Sequence, residues 1–419
     1  MQEQINRLVK EWFDKQSYEF VPGKTKIPLS APQYGAPEVC EALDSLLNIK
    51  VTMGEKVRRF EKMYAEYIGV EHAVMVNSGS SANLLALSVL TNPMLDGRIK
   101  QGGEIITPAV TWPTTIYPIA NVGCVPVLVD IDLETLDMSA GETEKALSDK
   151  TRALMPVHLL GNPCDMKELG RIADGNNLFL IEDSCEAHGS EYWGKKTGSF
   201  GDFSTFSFYF AHHISTIEGG MILTSNERLA ELARAMRTFG WIRDLRNRNE
   251  IAGRYDIDER FLFVTTGYNF RPTEIQGAFG IHQLGRLEEF ISIRRKNADY
   301  WSKQLQDYGD IFIVHKEKPN TRHVWYGYPV TIRPNDKFTR RDLIQFLESR
   351  NIETRPVMAG NMAEQPSMEH VVHRKDSLPN AEFVMRNSLF LGNHHMIREE
   401  EREYMIRCIE EFLRFKKAV

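Results

Sequence analysis

The feature that most restricts the fold of this chain is an alternation of short apolar runs with helical patterns through its middle. Residues 72–77 (HAVMVN) predict a strand, and 82–90 an apolar helix after it. Residues 104–108, 125–131 and 153–159 predict three more strands. Residues 166–174 read as a helix leading into a strand at 178–183 (LFLIED). Two further strands are expected at 203–210 and 221–224, then a charged helix at 227–237. Strands joined through helices run parallel, because the crossover brings the chain back to the same end of the sheet. The expected class is therefore α/β, with a large and mostly parallel sheet.

A different texture follows. A long helical pattern covers 287–305, then a strand is expected at 326–332 and helices at 339–350 and 398–415. This tail predicts a smaller α+β domain. The 419 residues then divide into an extension (1–50), a large domain (51–285) and a small one (286–419). Residues 1–15 read as a polar amphipathic helix without the apolar core of a secretory signal. No apolar run approaches the ~20 residues of a membrane span, and a cytoplasmic location is expected. A net charge of −6 leaves no electrostatic footprint for nucleic acid or an acidic membrane. The 5 cysteines, at 40, 124, 164, 185 and 408, are scattered and form no CxxC pair. They read as reduced thiols, and no metal-ligand cluster is visible.

Several short segments carry candidate chemistry. Ser78-Gly79-Ser80-Ser81 stands between a strand and a helix. Small residues there let the backbone approach an anion, and the helix N-terminus offers free N–H groups. An ordinary serine cap is the plainer reading. Trp112 follows a strand end, where α/β sheets hold their ligands. Its indole could stack on a flat ring or simply pack. Asp183 ends a buried apolar run, and a carboxylate there needs a partner. A protonated pyridine nitrogen is one such partner; capping the next turn is the alternative use. Glu186 and His188 share the loop that follows. Ser207 stands five residues before His212, and Gly219-Gly220 lets the chain turn tightly past them. Asn269 and Arg271 could reach a phosphate or a carboxylate.

Taken in order, these segments resemble the nucleotide-sugar aminotransferase and dehydratase family, enzymes of pyridoxal 5′-phosphate (PLP) fold type I with the aspartate-aminotransferase-like fold. The likeness runs from TMGE at 52–55 to LGNH at 391–394, most of the chain. Its most specific stretch is SFYFAHHISTIEGG. VNSGSSANLLAL, TPAVTWPTT, LLGNP, EDSCEAHGS, FGWIRDL, GYNFRPTE and RRKNADYW support it.

The resemblance implies a role for each candidate. Asp183 pairs with the pyridinium nitrogen and Trp112 stacks on the ring. Gly79, Ser80 and Ser207 hold the phosphate, and Glu186 lies close to the ring. Asn269 reaches the phosphate from the partner subunit of a homodimer with shared active sites, and Arg271 lies near it. The family's cofactor-tethering lysine is replaced by His212. Histidine cannot form that bond, but it moves protons near neutral pH, so His212 is expected to be the catalytic base. Neighbouring side chains in extended backbone face opposite ways, so only one of His212 and His213 should meet the cofactor. The spacing from Ser207 favours His212. No catalytic role is assigned to His394 or His395.

The activity implied is PLP- and pyridoxamine 5′-phosphate (PMP)-dependent C3 dehydration of a nucleotide-linked 4-keto-6-deoxy sugar. L-glutamate would form PMP, and ammonia would be released. A GDP-linked hexose is the favoured substrate; a heptose or a CDP-sugar would use the same core chemistry. One branch of the family carries an iron–sulfur cluster, with its cysteines mostly between the histidine and the GYN segment. Residues 218–266 contain no cysteine here, and a cluster normally takes four thiolates, so no iron–sulfur cluster is expected. Two other readings stay open. One is a sugar aminotransferase using Lys195 or Lys196, although both precede Ser207. The other is an inactive binding protein that keeps the fold.

Overall fold

In the computed structural model, which describes residues 1–31 and 34–418, the strands fall into three sheets. Along the chain they are β1 (His72–Val76), β2 (Glu104–Pro108), β3 (Val125–Val129), β4 (Thr151–Leu154) and β5 (Phe179–Asp183). A small hairpin of β6 (Glu191–Tyr192) and β7 (Lys195–Lys196) precedes β8 (Phe203–Ser207) and β9 (Gly220–Thr224). The remainder are β10 (Phe312–Ile313), β11 (Thr321–Arg322), β12 (Gly327–Ile332), β13 (Thr354–Pro356), β14 (Arg374–Lys375) and β15 (Ser388–Gly392).

The main sheet has 8 strands in the order β1-β9-β8-β5-β4-β2-β3-β14. β9 pairs antiparallel with β1 and β8, and every other pairing is parallel. The expected α/β class, with a mostly parallel sheet, is what forms. Helices Gly79–Leu90, Pro113–Asn121 and Met166–Gly175 supply the crossovers between successive strands. Between β8 and β9 there is only a loop, so the chain returns antiparallel. That loop carries His212.

β3 stops at Val129, short of the expected 131, and two other strands are cut back further. The run at 153–159 contributes only the end of β4, because Pro156 has no N–H to donate and Leu160 turns at φ 53° in the 3-10 segment Leu159–Gly161. The run at 203–210 stops at Ser207, which pairs with Gly220, the first residue of β9. Residues 208–210 then have no partner strand.

β2, β8 and β9 are buried along their whole length. Helix Gly79–Leu90 is apolar nearly all round because it is covered by the sheet and by helices Pro113–Asn121 and Glu227–Arg237. Val74, Leu85, Ile105, Ile181, Phe203 and Ile222 meet beneath it. Each such side chain contributes ~1.5–3 kcal/mol on burial.

The second sheet has 4 antiparallel strands in the order β10-β12-β15-β13. Helices Leu287–Leu305, Arg340–Ser349 and Glu399–Phe415 cover it, around Trp301, Phe312, Tyr328 and Phe412. Contacts cross the divisions expected at residues 50 and 285. Ile27 bridges to Ile352 and joins this second core. Leu287, Phe290 and Ile291 pack with Val57 and Phe206 of the main core, whereas Ala298 and Trp301 of the same helix pack in the second. β14 pairs with β3 at the edge of the main sheet. These links hold the small sheet against the ends of the large one.

Helix Gln2–Asp14 has no fully buried residue and leaves Leu8 and Trp12 well exposed. Among the described residues, no helix is long and apolar enough to cross a membrane.

Candidate active site

A cavity of about 620 Å³ opens at the C-terminal ends of β1, β2, β5 and β8. Open α/β sheets bind ligands at these ends, where loops and helix N-termini converge. Ser78, Gly79, Ser80, Trp112, Asp183, Glu186, Ser207 and His212 all line it. Tyr326, Arg355, Pro356 and Phe390 close it from the second sheet, with Leu29 and Ser30 from the N-terminal segment. A larger groove of about 970 Å³ lies at the opposite ends of β4 and β5 and holds none of these groups.

Asp183 is the last residue of β5 and is 4% exposed. Strand alternation turns Glu182 to the other face, where it accepts from the N–H groups of Gly198, Phe200 and Gly201. Asp183 Oδ2 accepts from Asn83 Nδ2 at 2.9 Å and from Thr115 Oγ1 at 2.8 Å. Its Oδ1 accepts from the Cys185 N–H at 3.2 Å. Asn83 is fixed in turn, since its Oδ1 accepts from Thr205 Oγ1. The carboxylate is thus oriented entirely by neutral donors. Its negative charge is left for a cation in the cavity, and a protonated ring nitrogen meets that need.

The opposite requirement is met at helix Gly79–Leu90. Ser78 caps it, its Oγ accepting from the Ser81 N–H. The first N–H groups therefore face the cavity beside the Ser207 hydroxyl, an anion-favouring end. Gly79 is needed there: a Cβ would lie 2.5 Å from Ser207 Cβ. Gly220 is needed behind it, where a Cβ would meet the Ser78 carbonyl oxygen at 2.2 Å. This cradle suits a phosphate. Trp112, at the start of helix Pro113–Asn121, is 54% exposed, with its indole on the cavity wall.

The loop between β8 and β9 is tied at its neck. The Phe208 N–H donates to the Gly219 carbonyl, and the Thr216 N–H to the Phe208 carbonyl. Within it the His212 N–H donates to the Tyr209 carbonyl and turns the imidazole toward the cavity. His212 Nδ1 is buried without a hydrogen-bond partner, which leaves Nε2 as the nitrogen open to the cavity. His213 points the other way. It is 1% exposed, with Nε2 donating to the Val324 carbonyl at 3.1 Å. Burial, then the fields of His188 and Arg294, press the His212 pKa down to about 3. The ring is neutral, and the low value measures how strongly this setting resists a charge on it.

His188 braces this arrangement from below. Its Nε2–H donates to the Ser207 carbonyl at 2.8 Å, so its Nδ1 must accept from the Tyr64 hydroxyl at 2.7 Å. Glu186 accepts from the Leu160 N–H at 2.7 Å, and burial raises its carboxyl to about 8. It therefore carries its proton at neutral pH.

Asn269 and Arg271 do not line the cavity. They hydrogen-bond to each other at 2.9 Å on the surface, and the Arg271 guanidinium lies 5.0 Å from the centre of the Phe239 ring. Lys195 and Lys196 lie in the β6–β7 hairpin, packed over Phe200 and Tyr67, and no lysine lines the cavity among the described residues. None of the described His, Cys, Asp and Glu residues cluster in a way that could hold a metal ion.

Sequence reasoning missed Asn83, Thr115, Tyr326 and Arg355. Asn83 had a visible signal, a polar residue inside an apolar helix. Thr115 stands in a quoted motif beside Trp112. Tyr326 and Arg355 come from the second sheet and have no local signal, since only the docking of the two sheets brings them here.

Sheet, cavity and antiparallel lobe together are those of the PLP-dependent, aminotransferase-like enzymes. The chain belongs to the DegT/DnrJ/EryC1/StrS aminotransferase family, whose profile matches residues 33–410. It is 38% identical over 373 residues to GDP-4-keto-6-deoxy-D-mannose 3-dehydratase of Escherichia coli O55:H7, covering 87% of this chain and 95% of that one. It is 37% identical over 416 residues to dTDP-4-dehydro-2,6-dideoxy-D-glucose 3-dehydratase of Saccharopolyspora spinosa, covering 96% and 89%. The solved GDP-4-keto-6-deoxymannose-3-dehydratase with a trapped PLP–glutamate geminal diamine superposes with a TM-score of 0.86 at 36% identity, covering 91% of this chain and 99% of that chain.

Proposed function

We propose that this protein is a PLP- and PMP-dependent 3-dehydratase of a nucleotide-linked 4-keto-6-deoxy sugar, with the GDP-linked hexose as substrate and L-glutamate as amino donor. The observation that carries this reading is the imidazole of His212, open to a cavity that has a cofactor-type acid and phosphate cradle but, among the described residues, no lysine. Bound there, PMP supplies an amine for the sugar C4 ketone and a ring that draws electrons from the adjoining carbon.

The chain's own groups do the rest. Asp183 keeps the ring nitrogen protonated, held for that task by Asn83 and Thr115. Trp112 would cover the ring face, Gly79, Ser80 and Ser207 would hold the phosphate, and Glu186 would stand beside the ring. His212, whose Nε2 opens to the cavity, would be the group that accepts a proton beside the bound cofactor and that would hand one to the departing C3 hydroxyl. Release of ammonia completes a turnover that consumes one glutamate. Without a lysine amine nearby, nothing displaces the bound sugar before water is lost.

A homodimer belongs to the same reading. Asn269 of the partner subunit would reach the phosphate, with the partner's Arg271 near it. The exposure of Asn269 and Arg271 away from their own cavity supports this.

The test is direct. The protein is incubated with PLP, L-glutamate and GDP-4-keto-6-deoxymannose, and the products are followed by mass spectrometry. A sugar lighter by one water, with ammonia and 2-oxoglutarate, is expected. An amino sugar that keeps its C3 hydroxyl would make it an aminotransferase instead.

A further inference from the structure

Tyr326 stands immediately before β12 and brings a phenol to the cavity from the second sheet. Its backbone is fixed on both sides. The N–H donates to the Leu160 carbonyl at 2.8 Å, and the carbonyl accepts from Arg294 Nη1 at 2.9 Å. Neither bond uses the hydroxyl, which has no hydrogen-bond partner among the described residues. The groups whose charges act on its oxygen are Glu186, Arg294, Tyr209 and Cys185. Glu186, Tyr209 and Cys185 all line the cavity, so the hydroxyl stands among them in its wall. The phenol ring lies against that of His212, with centroids 5.3 Å apart. Burial raises the phenol above its ordinary range, so it stays protonated at neutral pH. Other hydroxyls of the cavity are engaged. Thr115 donates to Asp183 and shares a hydrogen bond with Thr111, and Ser78 caps its helix. Tyr209 is 49% exposed, and its ring centre lies farther from His212, at 6.5 Å.

One imidazole nitrogen cannot serve the sugar alone. The lone pair of His212 Nε2 is committed to the proton it will take, and until then that nitrogen has no hydrogen to donate. The oxygen that is to leave needs a separate donor. We propose that the Tyr326 hydroxyl donates a hydrogen bond to the C3 oxygen of the sugar and keeps that oxygen beside His212 until the proton is handed over. This rests on the reading of the protein as a 3-dehydratase and names a second catalytic group for it. A phenol suits the task because it is neutral and adds no charge to a setting that resists one on the neighbouring ring. As the C3–oxygen bond lengthens, negative charge grows on the oxygen and the same hydrogen bond becomes charge-assisted and stronger.

Tyr326→Phe removes the oxygen and keeps the ring against His212. Affinities are measured by calorimetry on PLP-loaded protein without glutamate, where no turnover occurs. The two ligands are GDP-4-keto-6-deoxymannose and its 3-deoxy counterpart, which lacks the oxygen in question. In the variant, affinity for the first should fall roughly three- to tenfold, the value of one neutral hydrogen bond, and affinity for the second should not move. In a single turnover from PMP-loaded protein, water loss should slow roughly a hundredfold, the value of one donor to a developing negative charge. Equal losses of affinity for both sugars, or a loss for neither, overturn the proposal. So does a single turnover as fast as the parent's. A parent protein that binds both sugars but removes no water sinks the underlying function instead.

Discussion

The ring of His212 leans on the ring of Tyr326, with centroids 5.3 Å apart and planes 37° from parallel. One residue comes from the loop after β8 and the other immediately precedes β12 in the second sheet. Arg294, 2% exposed, clamps the far side of this contact by donating to the carbonyl oxygens of Tyr326 and Asn393. The imidazole is therefore held by both sheets at once. A proton shuttle has to be held this firmly, because a transfer step depends on sub-ångström placement.

Replacing His212 by Asn keeps a polar side chain of smaller size but removes the base. Dehydration should fall roughly a hundred- to ten-thousandfold, the usual contribution of one general acid–base group. Cofactor affinity, measured by equilibrium titration, should change little. His212→Lys makes the complementary case. It should suppress dehydration and create a borohydride-reducible link to PLP, seen as a mass increase on the peptide that contains residue 212.

Asp183→Asn preserves shape and removes charge. Asn83 and Thr115 both donate to Oδ2 and the Cys185 N–H donates to Oδ1, so an amide whose oxygen keeps the first two sets its NH2 against the third donor. PLP affinity should weaken roughly 10- to 100-fold, and turnover with saturating cofactor should fall further. Fluorescence titration of PLP, with product assays on the same samples, measures both.

Gly79→Ala tests the cradle. The added methyl would lie 2.5 Å from Ser207 Cβ, so strand β8 or the helix start must shift. Overpacking of this kind costs about 1–3 kcal/mol. A lower midpoint in thermal or urea unfolding is expected, together with weaker PLP binding, because the N–H groups that face the phosphate move with the helix.

Glu186 makes stability depend on pH in a defined direction. Its carboxyl, ordinarily near 4.5, is raised to about 8 in the fold by burial. Between those values the native state keeps a proton that the unfolded chain has lost, so stability falls as pH rises through the window and levels above it. Allowing for partial exposure, the span is about 2–4 kcal/mol. Glu186→Gln cannot titrate. The difference in urea-unfolding free energy between the parent and this variant should therefore shift in favour of the variant as the pH rises from 5 to 8. A difference that does not vary with pH would show that the carboxyl is ionised in the native state.

Much of this was legible in the residues themselves. Alternating apolar and helical periods gave the α/β class, since strand and helix periodicity are local properties of the chain. Asp183, Ser207 and His212 could be read as candidates because each stands at or just beyond a strand end, where side chains meet the cavity. Gly79 and Gly220 could be suspected from their motifs, but the close approaches of Gly79 to Ser207 and of Gly220 to Ser78 exist only once β9 pairs with β1 and β8. The choice between His212 and His213 rested on spacing alone in the sequence; the neck of the loop at Phe208 decides which ring meets the cavity.

The sequence by itself determined the kinds of group available: a carboxylate without a fixed cation, a glycine–serine helix start and an imidazole where a family lysine would stand. Tertiary structure alone decided their electrostatics and their far wall. The neutral state of His212, the retained proton of Glu186 and the arrival of Tyr326 and Arg355 all follow from packing the second sheet and helix Leu287–Leu305 across the strand ends. Burial and long-range contact set these properties, and neither can be read from neighbours in the chain.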